Sequence, residues 1–473
     1  MTTSTDPGYL AGRVSETLLR YLDTAFWLRS PELLAERRRL FQTESPLLQD
    51  LLLEPVLPYD GTHSAVDACT EAGLTRAEAH LLTRALFGTD DAATVRLRAH
   101  QAASLRVALS KGDMRVNPIV TSGTGSGKTE AFLLPILARL LIEARDWPSS
   151  GGARAWWEGA PPRWSPIRDG SRPHALRTVV LYPTNALVED QISRLRRALR
   201  QIKSLGGPDL WFGRYTSATP GGTRMPDANG KHNRLPDVAK QLRELVTEYD
   251  ALKGADPALF AHLADPRSAE LVTRWDIVAT PPDILVTNYS MLNVMLMREF
   301  EAPVLAQTQK WLAEDHDRVF TLVVDELHLY RGTQGTEVAF LLRNFLDRLG
   351  LAADSPQLRV VGTSASLDDS GAEYLEQFFG VDRDRFEIIS GVPREVRASI
   401  PLPNADVRTA LTNGHQTAGL DRAITEACRT PSGGPRATRM SDIAKRLFEE
   451  PDDRLLADVL RTLATSPAES TPE

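Results

Sequence analysis

Thr121-Ser-Gly-Thr-Gly-Ser-Gly-Lys-Thr129 constrains this 473-residue chain more than any other segment. It follows an apolar, β-branched run, Val116–Thr121, and precedes a stretch of helical periodicity, Lys128–Arg145. A strand, a glycine-rich turn and a helix in that order form a phosphate-binding loop. The glycines let the backbone curl until its N–H groups face phosphate oxygens, beside a helix N-terminus that favours negative charge. Gly123, Thr124, Gly125, Ser126, Gly127, Lys128 and Thr129 are therefore candidate nucleotide-binding residues. Lys128 is placed to reach the β- and γ-phosphates, and the Thr129 hydroxyl to ligate Mg²⁺. Ser122 stands where the strict pattern has glycine, and a small residue keeps the turn open.

The loop fixes the fold class of its surroundings. Further short apolar runs occur at Arg177–Tyr182, Asp283–Val286, Val319–Val324 and Leu358–Gly362. They are nearly continuous rather than alternating, as expected of parallel strands covered on both faces. Helical stretches follow at Leu187–Lys203 and Gly335–Leu349. The expected fold is α/β, a RecA-like doubly wound parallel sheet. Residues 8–95 read as helical. Ser30-Pro31 opens one helix, a Thr75/Glu78 capping box opens another, and Gly88 closes it. Trp147–Ala175 and Ser217–His232 are rich in glycine and proline and read as loops, the second followed by a helical stretch near Val238–Lys253.

Val319–Val324 runs directly into Asp325-Glu-Leu-His328. A buried strand ending in two carboxylates delivers them to the C-terminal edge of the sheet, where open α/β sheets bind ligands. Asp325 is the candidate Mg²⁺ carboxylate, and Glu326 the group that orients or deprotonates the attacking water. His328 is the candidate relay to a neighbouring lobe. Downstream, Thr363-Ser-Ala-Ser-Leu367 places Ser364 and Ser366 at the end of another strand, as candidates for coupling to the acidic box.

Two corners suit a nucleic-acid backbone. Tyr182-Pro-Thr-Asn-Ala-Leu187 sets Thr184 and Asn185 at a strand-to-helix junction that leads to Gln191. Thr280-Pro-Pro-Asp-Ile-Leu-Val-Thr-Asn288 does the same with Thr287 and Asn288. Arg214, after another apolar run, could extend the track. The basic series Arg194, Arg196, Arg197, Arg200 and Lys203 reads as a solvated helix face. Trp156, Trp157 and Trp164 could stack bases, but the helix after the phosphate loop runs back down the sheet. Their loop therefore belongs at the far edge.

Composition adds limits. The net charge of −7, from 55 basic and 62 acidic residues, mildly opposes nucleic-acid binding, although a local groove outweighs a total. Two distant cysteines, Cys69 and Cys428, allow neither a disulfide framework nor a zinc spacing. The N-terminus lacks an apolar signal core, and no apolar run is long enough to cross a bilayer. The expected location is the cytoplasm.

Taken in order, GTGSGKTE, PTNAL…Q, TPPDILVTN, DELH and TSASL resemble motifs I, Ia, Ib, II and III of DEAD/DEAH-box (superfamily 2) helicases, over roughly residues 96–395. The string Asp325-Glu-Leu-His-Leu-Tyr-Arg-Gly-Thr-Gln-Gly-Thr-Glu-Val338 is similar to large bacterial helicases of the Lhr and MrfA kind, some of them associated with phage defence or DNA repair. The resemblance implies an ATP-binding motor lobe with ATP and Mg²⁺ as cofactors and DNA or RNA, DNA favoured, as partner. It also gives Gln101, in Leu97-Arg-Ala-His-Gln101, the role of pairing with an adenine edge.

The resemblance further implies a second RecA-like lobe, carrying an arginine finger. Roughly 80 residues follow Gly391, fewer than the ~100–150 of a typical domain. The expectation is an accessory region over 1–95, a motor domain over 96–395, and a helical linker or the start of the missing lobe over 396–473, with a frayed tail. The lobe would come in trans or from a longer parent chain. An alternative is an ATP-gated nucleic-acid-binding module that does not unwind.

Overall fold

The computed structural model describes residues 7–43, 51–110, 116–123, 125–148, 152–168, 170, 172–252, 260, 262–367, 371–398, 400, 420–430, 434–449, 456 and 460. The chain divides into two compact units, one of residues 58–393 and one of residues 1–57 with 394–473.

The larger unit is built on eight parallel strands: β4 (Asn117–Thr121), β5 (Thr178–Tyr182), β6 (Phe212–Tyr215), β7 (Glu270–Leu271), β8 (Ile284–Asn288), β9 (Phe320–Val324), β10 (Leu358–Ser364) and β11 (Phe386–Ser390). Their spatial order is β11-β4-β10-β9-β5-β8-β6-β7, and β2 (Gly61–Ser64) and β3 (Arg96–Arg98) form a separate antiparallel pair. Each expected apolar run is a strand of the parallel sheet. Alternate side chains of one strand enter different cores, which is why the runs are continuous in sequence. Val179, Leu181, Leu322 and Val324 pack into one layer, with the helices Tyr289–Met297, Gly332–Arg348 and Gly371–Phe379. Val180, Tyr182 and Val323 pack into the other, with Lys128–Glu143 and Asn185–Ser204. The doubly wound expectation holds.

The sequence reading separated residues 1–95 from the motor domain. Instead, residues 58–95 complete the second layer. The helices Ala65–Glu71 and Arg76–Phe87 bury Val66, Leu82 and Leu86 in the same cluster as Phe132 and Ile192. The division falls near residue 57 because this apolar surface is covered by sheet-flanking helices. The capping box of the second helix is present. Glu78 N–H donates to Thr75 Oγ1 at 3.3 Å, and Thr75 N–H to Glu78 Oε2 at 2.8 Å. Gly88 ends the helix in the left-handed region.

The smaller unit holds the helices Pro7–Ala25 and Pro31–Thr43, clasped by Asp23 accepting from Arg37 and Arg38 at 2.7 Å. It also holds an antiparallel pair, β1 (Leu52–Leu53) with β12 (Thr438–Arg439), beside the helices Leu420–Ala427 and Met440–Phe448. Ile424, Ile443, Leu447 and Phe448 form its core. The frayed tail expected at Thr465–Glu473 lies outside the described residues.

Candidate active site

The strand order determines what meets at the C-terminal edge. The phosphate loop leaves β4, the acidic box leaves β9, and β10 lies between them. Neighbouring strands are ~4.8 Å apart, so β4 and β9 stand about 10 Å apart. That gap is within reach of a lysine side chain meeting a glutamate. Lys128, first residue of its helix, donates through Nζ to Glu326 Oε1 at 3.3 Å and Oε2 at 3.4 Å. The cradle and the acidic box therefore share one edge and one site.

The cradle has the conformation its glycines permit. Gly125 and Gly127 both have φ of +73°. A side chain at Gly127 would be strained by that φ, and its Cβ would displace Gln101 Nε2, 2.4 Å away. Ser122 fits where the strict pattern has glycine because its hydroxyl pairs with that of buried Ser126 at 2.6 Å. Thr129 sits half-buried on the first helical turn. Thr124 lies outside the described residues.

Asp325 is buried, and burial first of all raises its pKa, with Glu326 adding to the rise. The Thr363 hydroxyl, donating to Asp325 Oδ1, and the Lys128 charge act in the opposite direction. Glu326 follows in the left-handed region, φ +53°, which is uncommon for a side chain of this size. That turn takes its carboxylate to Lys128 and, at 3.3 Å, to His328 Nδ1. Ala365 N–H donates to the same Nδ1 at 3.3 Å.

This geometry corrects the coupling assignment. Ser364 donates its hydroxyl to the Ser366 carbonyl at 2.9 Å, so neither serine hydroxyl provides the link to the box. Thr363, through its side chain, and Ala365, through its N–H, provide it. The strand's pleat explains why Thr363 and not Ser364 reaches the box, since the side chains of consecutive strand residues face opposite sides. Ser364 contributes its carbonyl, accepting from Ser122 N–H at 3.1 Å, which ties β10 to the start of the phosphate loop.

Gln101 also supports the cradle. Its Oε1 accepts from Arg98 N–H at 3.0 Å and its Nε2 donates to the Gly127 carbonyl at 3.1 Å. One donor and one acceptor position of the amide are used in this way. Its neighbours do similar work. Arg98 donates to the Gly125 carbonyl at 2.9 Å, and His100 Nε2 lies 2.8 Å from the Ser126 carbonyl. Burial lowers the His100 pKa. Tyr59 accepts from Gly123 N–H at 3.1 Å. Proximity to Gln101 could have flagged Arg98 and His100, but nothing in the sequence marks Tyr59.

The track residues divide. Thr184 is exposed at the start of its helix, with no side-chain cap bond. Asn288 Nδ2 donates to Asn185 Oδ1, joining the two corners, and Asn288 Oδ1 caps Met291 N–H at 2.8 Å. Thr287 is fully buried, its hydroxyl donating to the Tyr215 carbonyl at 2.7 Å, so it is no surface contact. Arg214 is paired with Glu189. The basic series is a solvated face only in part, with Arg194 and Arg197 exposed. Arg196 is buried in a two-bond pair with Glu270 (2.7 and 2.8 Å), Arg200 donates to the carbonyls of Phe260 and Leu263, and Arg194 meets Glu130. Trp156 and Trp157 are core residues, and Trp164 Nε1 donates to buried Asp276 at 3.1 Å.

Comparison with known proteins agrees with these motifs. Residues 98–212 match the DEAD/DEAH box helicase family. The chain is 29% identical over 452 residues to the Druantia protein DruE of Escherichia coli (strain UMEA 4076-1). That match covers 84% of this chain but 23% of DruE, so the chain spans about a quarter of that relative's length. Among solved structures it is similar to the helicase MrfA bound to DNA and AMPPNP, at 15% identity and a TM-score of 0.39, covering 86% of this chain and 43% of MrfA. It is similar also to the Mycobacterium smegmatis helicase Lhr bound to ssDNA and AMP-PNP, at 19% identity and a TM-score of 0.38, covering 70% and 32%. No helix among the described residues is long and apolar enough to cross a membrane.

Proposed function

We propose that this chain is the first motor lobe of an ATP-driven nucleic-acid helicase, acting with a second RecA-like lobe supplied in trans or by a longer chain. The observation that supports it is the 3.3 Å contact between Lys128 and Glu326, which draws the phosphate loop and the acidic box together at one sheet edge. The left-handed glycines and the free helix start suit a triphosphate, and the buried carboxylate of Asp325 with the Thr129 hydroxyl would hold Mg²⁺. ATP·Mg²⁺ would supply the transferable phosphoryl group and the charge that offsets it.

On this reading Lys128 moves from Glu326 to the β- and γ-phosphates, releasing Glu326 to hold the attacking water and take its proton. Thr363 fixes the Asp325 carboxylate. His328, between Glu326 and Ala365, passes a change in the box to β10. Thr184, Asn185 and Asn288 line the path of one strand, DNA before RNA, along the same edge. Association with phage defence is a proposal that follows from the likeness to DruE.

The test is ATP turnover by the purified chain with and without single-stranded DNA or RNA. Stimulation by nucleic acid is expected, with negligible strand separation until a second lobe is added. Glu326→Gln should lower turnover by at least about 10²-fold, the lower end of what acid–base assistance contributes, with nucleotide binding retained. Lys128→Ala should lose both. If Glu326→Gln preserves biological activity that Lys128→Ala abolishes, the chain is an ATP-gated binding module instead. Turnover indifferent to every nucleic acid would overturn both readings.

A further inference from the structure

Beside the acidic box, but outside the nucleotide site, the larger unit holds an open cavity of about 530 Å³. Its walls come from the helices Gly332–Arg348 and Gly371–Phe379 and from the turn His328–Arg331. The floor is apolar and aromatic, with Leu367, Tyr374 and Phe378. Phe340, 64% exposed, stands among the lining residues, and Leu329, 49% exposed, lies between two of them in the chain. Large side chains of this kind concentrated at one cavity are a feature of binding surfaces.

Two observations define what would fit. Among the described residues, the charged side chains of the lining are Arg331 and Arg343, and no carboxylate is among them. Neither arginine takes part in an ion pair among the described residues, although the chain as a whole carries a net charge of −7. Tyr330 lines the same wall and is itself fully buried. Phe340, in the lining, and Leu329, next to two lining residues in the chain, leave exposed apolar surface at the cavity.

We propose that this cavity docks an acidic segment of a partner polypeptide, which inserts an aromatic or leucine anchor between the two helices and pairs its flanking carboxylates with Arg331 and Arg343. The occupant would touch His328. Any effect on turnover therefore rests on the motor reading, whereas docking itself does not.

The test is selection from a displayed library of random 12-residue peptides on the full chain, followed by affinity measurements on individual winners. Peptides with Asp or Glu flanking Trp, Phe or Leu are expected. Their affinity should fall at least tenfold with Phe340→Ser and with Arg331→Glu, each an exposed position whose change leaves the fold intact by circular dichroism. Met297→Ser, another exposed apolar position away from the cavity, should leave affinity unchanged. Winners without acidic residues, winners that bind all three variants equally, or a selection that yields no binder would each overturn the proposal. Loss of nucleotide binding by Lys128→Ala should leave peptide affinity intact, which separates failure of this inference from failure of the motor reading.

Discussion

Thr363 gives its hydroxyl to Asp325, and its neighbour Ala365 gives an N–H to His328. A hydrogen bond to a charged group contributes about 1.5–3 kcal/mol, so Thr363→Val should lower the maximal ATP turnover roughly 10- to 100-fold. Thr363→Ser should restore most of it, while Ser366→Ala should change little. Steady-state kcat on the three variants checks this, and a larger defect in Ser366→Ala than in Thr363→Val would reverse the assignment. The residue scale is where the sequence was least explicit. Lys128, Asp325 and Glu326 were legible because loop chemistry and strand ends determine where they go. The true partner of the acidic box was one residue from the expected one, because pleat direction follows from strand register, which a single sequence does not show. Gln101 was recognisable as important, and its amide also pairs with the Arg98 N–H and the Gly127 carbonyl.

The helix Asn185–Ser204 leaves Arg194 and Arg197 exposed but turns Arg196 and Arg200 onto protein partners. Breaking a buried ion pair by removing one partner costs about 3–5 kcal/mol, against ±0.5 kcal/mol for a surface change. Arg196→Met should therefore lower the urea midpoint markedly, and an unchanged midpoint would return Arg196 to the solvated face. A second prediction concerns the short helix Arg274–Ala279. Asp276, fully buried, is pushed up to about 7, chiefly by desolvation, while Thr273 and Trp164 donate to it and pull the other way. The folded state thus holds this proton more tightly than the unfolded chain does, and stability falls as pH rises from about 4 to 7. Asp276→Asn cannot ionise. Between pH 5 and pH 8 the wild type should lose more in Tm than Asp276→Asn, and equal losses would contradict the assignment. At this scale the long apolar strands and the capped helices were readable because periodicity and cap chemistry are local. β7, two residues long, and β11, a half-exposed edge strand, lack that signal. Arg196 was misread because Glu270 is 74 residues away along the chain, a pairing that only the folded sheet makes.

The whole molecule is two units, and the one with the sheet extends to residue 58 because helices upstream of the motifs cover the same face as the phosphate-loop helix. Composition gave no indication of that boundary, since residues 58–95 are as helical and mixed as those before them. The motif order was informative because it imposes a topology: a phosphate loop on β4, an acidic box on β9 and a coupling strand between them. The account depends on a single nucleotide–magnesium complex being shared by Lys128 and Asp325. The direct measurement is titration of a non-hydrolysable ATP analogue into the purified chain, with and without Mg²⁺, for wild type, Lys128→Ala and Asp325→Asn. Binding should require Mg²⁺ in the wild type, and each substitution should weaken it roughly 100-fold, or about 2.7 kcal/mol. Wild-type affinity and wild-type Mg²⁺ dependence in Asp325→Asn would show that the carboxylate and the cradle serve different ligands, and would contradict the account.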